Sequence, residues 1–172
     1  FCTYKILVVV YTAQAAYILY DEKCREHGCI HFAYGEYGEV PGAWLHTFYM
    51  MKSASSLYKI GAAHVSLESY DQAVVYYARS LAILEGIGNQ QGVASILSSL
   101  GDACQSLGQH HKAADYHARS LAIAVEMDDS QGVAGSLNGL GIAYDNLGQY
   151  DKAIGYHSRS LKIEEEHGNR HG

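Results

Sequence analysis

The sequence of 172 residues has a single proline, and only 17% of its residues are charged. One proline excludes collagen-like chains and proline-rich linkers. Apolar residues make up 48%, too many for an intrinsically disordered chain. Twelve lysines and arginines against eighteen aspartates and glutamates give a formal net charge of −6. Because nucleic acids and anionic membranes attract basic proteins, we expect neither among the partners.

Cysteine is scarce as well. Four cysteines do not make a disulfide framework in a chain of this length, which favours a reducing, cytoplasmic compartment. Residues 6–20 form the longest strongly apolar run without a charge, and these fifteen residues fall short of the roughly 20 that a membrane helix needs. The run also lacks the basic flank and the small-residue cleavage site of a signal peptide. We therefore expect an intracellular protein.

The sequence does contain a repeat of 40 residues. Glycine recurs at this spacing, at Gly61, Gly101 and Gly141. The triplet Arg-Ser-Leu recurs in the same way and begins at Arg79, Arg119 and Arg159. Apolar residues at steps of three and four predict two helices in each unit, as in Val133, Leu137, Leu140, Tyr144 and Leu147. One helical hairpin cannot bury its faces alone, so stacking into an all-α solenoid is expected. We place three units at about 54–92, 93–132 and 133–172.

The glycines inside the predicted helices carry a further prediction. Each lowers helix stability by about 1 kcal/mol relative to alanine, so three at one register indicate a compensating close contact between helices. The matching small residues on the second helix are expected to be Ala73, Ala113 and Ala153, with Ser80, Ser120 and Ser160. Gly108 and Gly148 are predicted to end helices, since glycine readily adopts the left-handed conformation.

The third unit contains the pattern L-x2-L-G-x2-Y, from Leu137 to Tyr144, followed by Ala153 and His157 in the pattern A-x3-H. These elements resemble the tetratricopeptide repeat, W-x2-L-G-x2-Y, then A-x3-F, then P. The terminal proline is absent, and Cys104 and His64 replace the tyrosine. The 40-residue period exceeds the usual 34 and resembles that of Pins-type scaffold arrays. The resemblance covers about residues 54–172 and implies an α-α superhelix that binds a protein or peptide in a concave groove.

Residues 1–53 depart from the repeat. Lys5–His27 suits one helix, although Ile6–Val10 is also good strand material. Residues 34–42 carry three glycines and the proline, which predicts a loop, and Ala43–Met51 is expected to lead into the first repeat helix. We interpret the segment as a divergent helical cap followed by a Gly/Pro loop; a mistranslated stretch is the alternative.

One cluster holds zinc-type ligands, namely Cys24, His27, Cys29 and His31. Structural zinc sites pair two ligand knuckles across a longer loop, whereas this single run would have to fold back on itself. It is a candidate metal site, but we expect neither a metal nor a cofactor.

Two sets of residues that recur at the 40-residue spacing, one of histidines and one of arginines, each have a structural and a functional interpretation. His117 and His157 stand where the pattern has an aromatic residue, and we interpret them as ring-sized filling rather than proton sensors. The arginine column is interpreted as a solvated face or an inter-repeat contact rather than an anion site. Asp115, four residues before Arg119, offers an ordinary helical ion pair.

No catalytic motif occurs: the P-loop, the nucleophile elbow, the metalloprotease helix and the dinucleotide fingerprint are missing from the sequence. Cys104 lies on an apolar stripe, where a thiol stays protonated. We therefore predict a non-catalytic interaction scaffold. The alternative is the regulatory repeat portion of a larger signalling or enzymatic protein whose catalytic domain lies outside this chain.

The partner contacts are expected on the polar sides of the first helices, which the resemblance makes the inner side of the superhelix. The predicted groove residues are Tyr58, Lys59, Ser98, Asp102, Gln105, Asn138, Asp145 and Asn146. Lys59 is the one basic residue among them, so a carboxylate clamp of the kind found in the family is not expected. Asp102 and Asp145 favour a basic or amide-rich protein or peptide. A longer array is also expected, because Leu161 and Ile163 lie where a following helix would cover them.

Overall fold

The computed structural model describes residues 5–11, 14–20 and 42–168. It divides into two compact units, Phe1–Leu45 and His46–Gly172. In the first unit, β1 (Lys5–Tyr11) pairs with β2 (Gln14–Tyr20) as an antiparallel hairpin. The predicted helix over Lys5–His27 is therefore wrong for these two segments. In β1 the β-branched residues favour the strand, the alternative left open for Ile6–Val10; the strand at Gln14–Tyr20 was not predicted.

Six helices lie within the described residues, and the second unit contains all of them except the first four residues of α1. They are α1 (Gly42–Ser66), α2 (Tyr70–Gly86), α3 (Gln90–Ser106), α4 (His110–Glu126), α5 (Ser130–Asn146) and α6 (Tyr150–Gly168). This confirms the all-α superhelix for the repeated hairpins. The predicted boundary at residue 53 falls inside α1, because this helix already begins at Gly42. None of the helices in the described part of the chain is long and apolar enough to cross a membrane.

The connections between helices repeat every 20 residues. Backbone φ is positive once in each of them, at Glu68, Gly88, Gly108, Asp128 and Gly148. Gly108 and Gly148, at φ 72° and 71°, confirm the predicted helix stops. After Gly108 the amide of Gln109 donates to the Cys104 carbonyl at 2.8 Å, which satisfies a carbonyl at the end of α3. Each 40-residue repeat is thus two similar helix-and-turn steps.

The start of α3 and that of α5 are capped in the same way. The side chain of Asn89 accepts a hydrogen bond from the amide of Gly92 at 2.9 Å, and Asp129 does the same for Gly132 at 3.0 Å. Such caps satisfy backbone donors that have no partner inside the helix. A Cβ at Gly132 would meet the capping carboxylate of Asp129, and a Cβ at Gly92 would lie 3.1 Å from the side chain of Leu84 and 3.2 Å from the capping oxygen of Asn89.

The buried stripes hold each hairpin together. Val93, Leu97, Leu100 and Cys104 of α3 are all buried, as the apolar periodicity predicts. The serine of each Arg-Ser-Leu triplet is buried too. Its hydroxyl donates to a carbonyl of the preceding helix at 2.9 Å in all three hairpins: Ser80 to Ala54, Ser120 to Ala94 and Ser160 to Ala134. One interhelical hydrogen bond is therefore repeated in every hairpin.

The arginine of the second triplet joins successive hairpins. Arg119 Nη2 of α4 donates to Glu85 Oε1 of α2 at 3.0 Å. The predicted pair with Asp115 is wrong, because the partner comes from the neighbouring hairpin and not from the same helix. The interpretation of this column as an inter-repeat contact holds for Arg119.

Candidate functional site

Three rings on the second helices lie directly against the repeated glycines. A Cβ atom at Gly61 would lie 2.6 Å from the ring of Tyr77. The corresponding distance is 2.5 Å from Gly101 to His117 and from Gly141 to His157. The predicted close contact is confirmed, but its predicted partners are wrong. The ring sixteen residues later, rather than a small alanine or serine, fills the space of the missing side chain. We call Tyr77, His117 and His157 the ring row.

Three predicted groove residues, one on each first helix, contact the ring row. The ring of Tyr58 stacks on Tyr77 with a centroid distance of 5.5 Å. Asp102 Oδ1 lies 3.6 Å from His117 Nε2, and Asn138 Oδ1 lies 3.1 Å from His157 Nδ1. The structure therefore brings one residue of each first helix against the ring row: Tyr58 and Asn138 at the same register, and Asp102 one helical turn later. We call the exposed sides of α1, α3 and α5 that carry these three residues the first-helix face.

His117 is the most enclosed member of the ring row, with 2% of its surface exposed. Its ring lies between Gly101 of α3 and Gly139 of α5, where a Cβ would also be 2.5 Å away. Neither ring nitrogen has a hydrogen-bond partner among the described residues. Burial lowers the pKa of His117, and the Asp102 carboxylate opposes that shift. The neutral imidazole thus acts as a spacer between the second and third hairpins.

Asp102 is a charged residue of the first-helix face that lies against the ring of its own hairpin. Its side chain is 76% exposed, so it is available to a cation in solution. Partial burial of the carboxyl raises its pKa, and the imidazole of His117 opposes that shift. Burial raises the pKa of Tyr77, and the charges of Tyr58 and Asp102 raise it further. The carboxylate therefore acts on the ring of its own hairpin and on that of the preceding one.

The other predicted groove residues differ in availability. Lys59 and Asp145 are exposed. Ser98 is half-buried and its hydroxyl lies 3.1 Å from that of Ser120, so it is part of the packing between helices. Asn146 Nδ2 donates to the Ile142 carbonyl of its own helix at 3.0 Å. Gln105 Oε1 is buried and has no hydrogen-bond partner among the described residues.

Sequence reasoning missed a crevice between α1 and α3. It has a volume of about 260 Å³ and is lined mainly by Met51, Ala54, Ser55, Tyr58, Leu84, Ser95 and Ile96. The repeat does contain a signal for this crevice. Tyr58 and Ile96 are large and apolar, whereas the residues 40 positions later, at the next junction between hairpins, are Ser98 and Ser136.

The described residues contain no group of three or more His, Cys, Asp or Glu placed to hold a metal. The candidate ligands Cys24, His27, Cys29 and His31 lie outside the described residues. Burial raises the pKa of the Cys104 thiol, in agreement with its placement on the apolar stripe.

The tetratricopeptide repeat family profile matches residues 52–126 and 92–166. Among solved structures, the TPR domain of Arabidopsis FLU is 19% identical with a TM-score of 0.65, covering 68% of this chain and 98% of that one. BtubC from P. vanneervenii is 23% identical with a TM-score of 0.63, covering 67% and 48%. Aspartyl phosphate phosphatase F from Bacillus subtilis is 17% identical with a TM-score of 0.66, covering 69% and 31%.

At these identities the likeness to solved structures shows the fold alone. No curated protein sequence matches this chain. The narrower resemblance to Pins-type arrays stays a prediction.

Proposed function

The chain belongs to the tetratricopeptide repeat family, and we propose that it is a non-catalytic scaffold that binds a protein or peptide along the first-helix face. The proposal rests on one observation. In each hairpin, a side chain of the first helix that is at least partly exposed, Tyr58, Asp102 or Asn138, lies against a ring of the second helix. Side chains held in this way lose little conformational freedom when a partner binds.

The charges of this face support a basic or amide-rich partner. Asp102 and Asp145 are exposed carboxylates, and Asn138 keeps its Nδ2 donor because its oxygen faces His157. An asparagine amide can bond the backbone of an extended segment. We propose a cytoplasmic location because the cysteine content is low. Because the net charge is −6, we propose that the partners are neither nucleic acids nor membranes.

The test is capture of partners by the immobilised chain from a cytoplasmic extract, followed by titration of the captured protein. Replacing Asn138 and Asp145 together by alanine is expected to weaken binding by about 1–3 kcal/mol, the range of interface hot spots. The melting temperature should change little, since both side chains are exposed.

The matched control replaces Lys112 and Arg119, which are exposed on the second helix α4, by alanine. This double variant should retain the partner. If the α4 variant loses the partner and the Asn138 and Asp145 variant still binds it, the binding surface lies on the second helices.

A regulatory portion of a larger enzyme is the second candidate. It is favoured by the coverage of the similar phosphatase structure, of which this chain spans 31%. The name of that phosphatase suggests a direct test, the release of phosphate from an acyl phosphate such as acetyl phosphate. We expect none from this chain. Phosphate release by the purified chain would replace the non-catalytic proposal.

A further inference from the structure

The crevice between α1 and α3 differs from its counterpart one repeat later. Ala54, Leu84 and Ile96 are buried in its walls, and the exposed Tyr58 closes one side. At the next junction, the registers of Tyr58, Leu84 and Ile96 are taken by Ser98, Ala124 and Ser136. There the hydroxyls of Ser98 and Ser136 lie 3.1 and 3.0 Å from that of Ser120, so the serines bond one another. An apolar recess therefore lies at the first junction, where the second has a polar cluster.

The size of the crevice suits one side chain. Its volume of about 260 Å³ is below the roughly 300–1,000 Å³ of pockets for small molecules. Exposed Ser55 and Ser95 lie on its opposite walls, on α1 and α3. A large aliphatic or aromatic group entering between them would leave water for a mainly apolar lining, at a gain of about 25 cal/mol per Å² buried.

A negative charge lies beside the crevice. Tyr58, which lines it, stacks on Tyr77, and the Asp102 charge acts on the Tyr77 phenol. Asp102 follows Ser95, which lines the crevice, by seven residues of α3, so the two residues lie on one side of the helix about 10 Å apart along its axis. An extended chain advances about 3.3 Å per residue, so about two or three residues and the length of a lysine or arginine side chain cover this distance.

Building on the proposed function, we infer that the crevice anchors one large apolar side chain of the partner and that Asp102 receives a lysine or arginine about two or three residues further along the same segment. The serine cluster of the second junction offers no equivalent recess. A crevice of about 330 Å³ recurs two repeats later, but there Gln131 and Glu164 stand at the registers of Met51 and Leu84, so an apolar side chain favours the first junction. The ligand class is a peptide with an apolar anchor followed by a cation.

The test uses synthetic, fluorescently labelled peptides and the whole chain. One peptide carries leucine followed by lysine at the stated spacing, a second has alanine for the leucine, and a third has glutamate for the lysine. The first should bind at least about tenfold more tightly than either of the others, measured by anisotropy. Its affinity should fall as salt is raised, because the ion pair is exposed.

Two variants locate the site. Ser55→Trp places a large side chain over the crevice and should weaken the leucine–lysine peptide about tenfold; Ser95→Trp closes it from the opposite wall and serves if the first variant is unstable. Ser56→Trp, exposed on the same helix, is the control. Asp102→Asn should remove the preference for lysine over glutamate, whereas Asp115→Asn on α4 should not.

Equal binding of all three peptides, or no binding of any, would overturn this inference. Failure here is distinguishable from failure of the proposed function. Suppose that the captured partner loses affinity for the Asn138 and Asp145 variant yet binds the Ser55→Trp, Ser95→Trp and Asp102→Asn variants as tightly as the unmodified chain. In that outcome the first-helix face binds the partner and the anchor assignment is wrong.

Discussion

The two junctions between successive hairpins share a register and differ in chemistry. The first, between α1–α2 and α3, has Leu84 and Ile96 in its walls and an open crevice. The second, between α3–α4 and α5, has Ser120 bonded to two other serines and His117 enclosed between two glycines. At the first junction Ser99 stands where the second has Gly139. The repeated residues thus keep the backbone spacing, while the residues between them decide whether a junction is open and apolar or closed and polar.

The largest effect is expected where His117 fills the second junction. In Gly139→Leu the new side chain would meet the imidazole, which Gly101 blocks on its other side. Overpacking of this kind destabilises by about 1–3 kcal/mol or more, to be measured by urea unfolding. Ser99→Leu, the same register at the first junction, should cost less. Equal losses would show that the two junctions are packed alike.

Truncating a wall of the first junction should come next. Ile96 is 3% exposed, so Ile96→Ala is expected to destabilise by about 2–3 kcal/mol, toward the low end for such changes because the crevice already leaves one side open. At the same register of the second junction, Ser136→Ala removes a single hydrogen bond, worth about 1 kcal/mol. Thermal melts of both variants give the comparison, and a larger loss from Ser136→Ala would contradict it.

A smaller difference should separate the repeated serines. Ser80→Ala removes one bond to a helix carbonyl and should cost about 1 kcal/mol. Ser120→Ala also leaves the buried hydroxyl of Ser136 without its acceptor, so it should cost about 1 kcal/mol more. The two unfolding free energies, measured under one condition, check this. Identical values would mean that the serine cluster adds nothing to stability.

The smallest effect is a pH dependence from His117. Its folded pKa is lowered from 6.5, so the unfolded chain binds the proton more readily. Stability should therefore be full above 6.5 and decline as the pH falls through 6.5 toward the folded pKa. His117→Phe should flatten this decline in melting temperature relative to the unmodified chain. A wild-type melting temperature that rises on acidification would contradict the sign.

The repeat made most of the helical architecture predictable. Apolar steps of three and four identify the buried faces, and glycine at fixed spacing indicates both the helix stops and the close contacts. What lies over Gly101 was not predictable, because the contact to His117 depends on how two helices cross. The Arg119–Glu85 pair was missed for the same reason: periodicity along one helix carries no information about the neighbouring hairpin. In β1 and β2 no repeat was available: local propensity left helix and strand open for Ile6–Val10, and it did not indicate the strand at Gln14–Tyr20.

Of the candidate site, the sequence identified the side chains but not their availability. Tyr58, Asp102 and Asn138 lie on the first-helix face against the ring row, whereas Ser98 and Asn146 are engaged by Ser120 and by their own helix. The crevice was not predicted because its lining residues, such as Met51 and Ile96, belong to different helices.

The repeated serine bond has a consequence for how the chain folds. Each of these hydrogen bonds joins residues 26 positions apart, and the turns that end successive helices are 20 residues apart. Contacts of such short sequence separation close small loops, and the entropy of closure grows slowly with their length. Low contact order is associated with fast folding. In stacked repeats folding can begin in any hairpin and propagate to its neighbours, so the helical unit should fold on a microsecond-to-millisecond scale from whichever hairpin forms first.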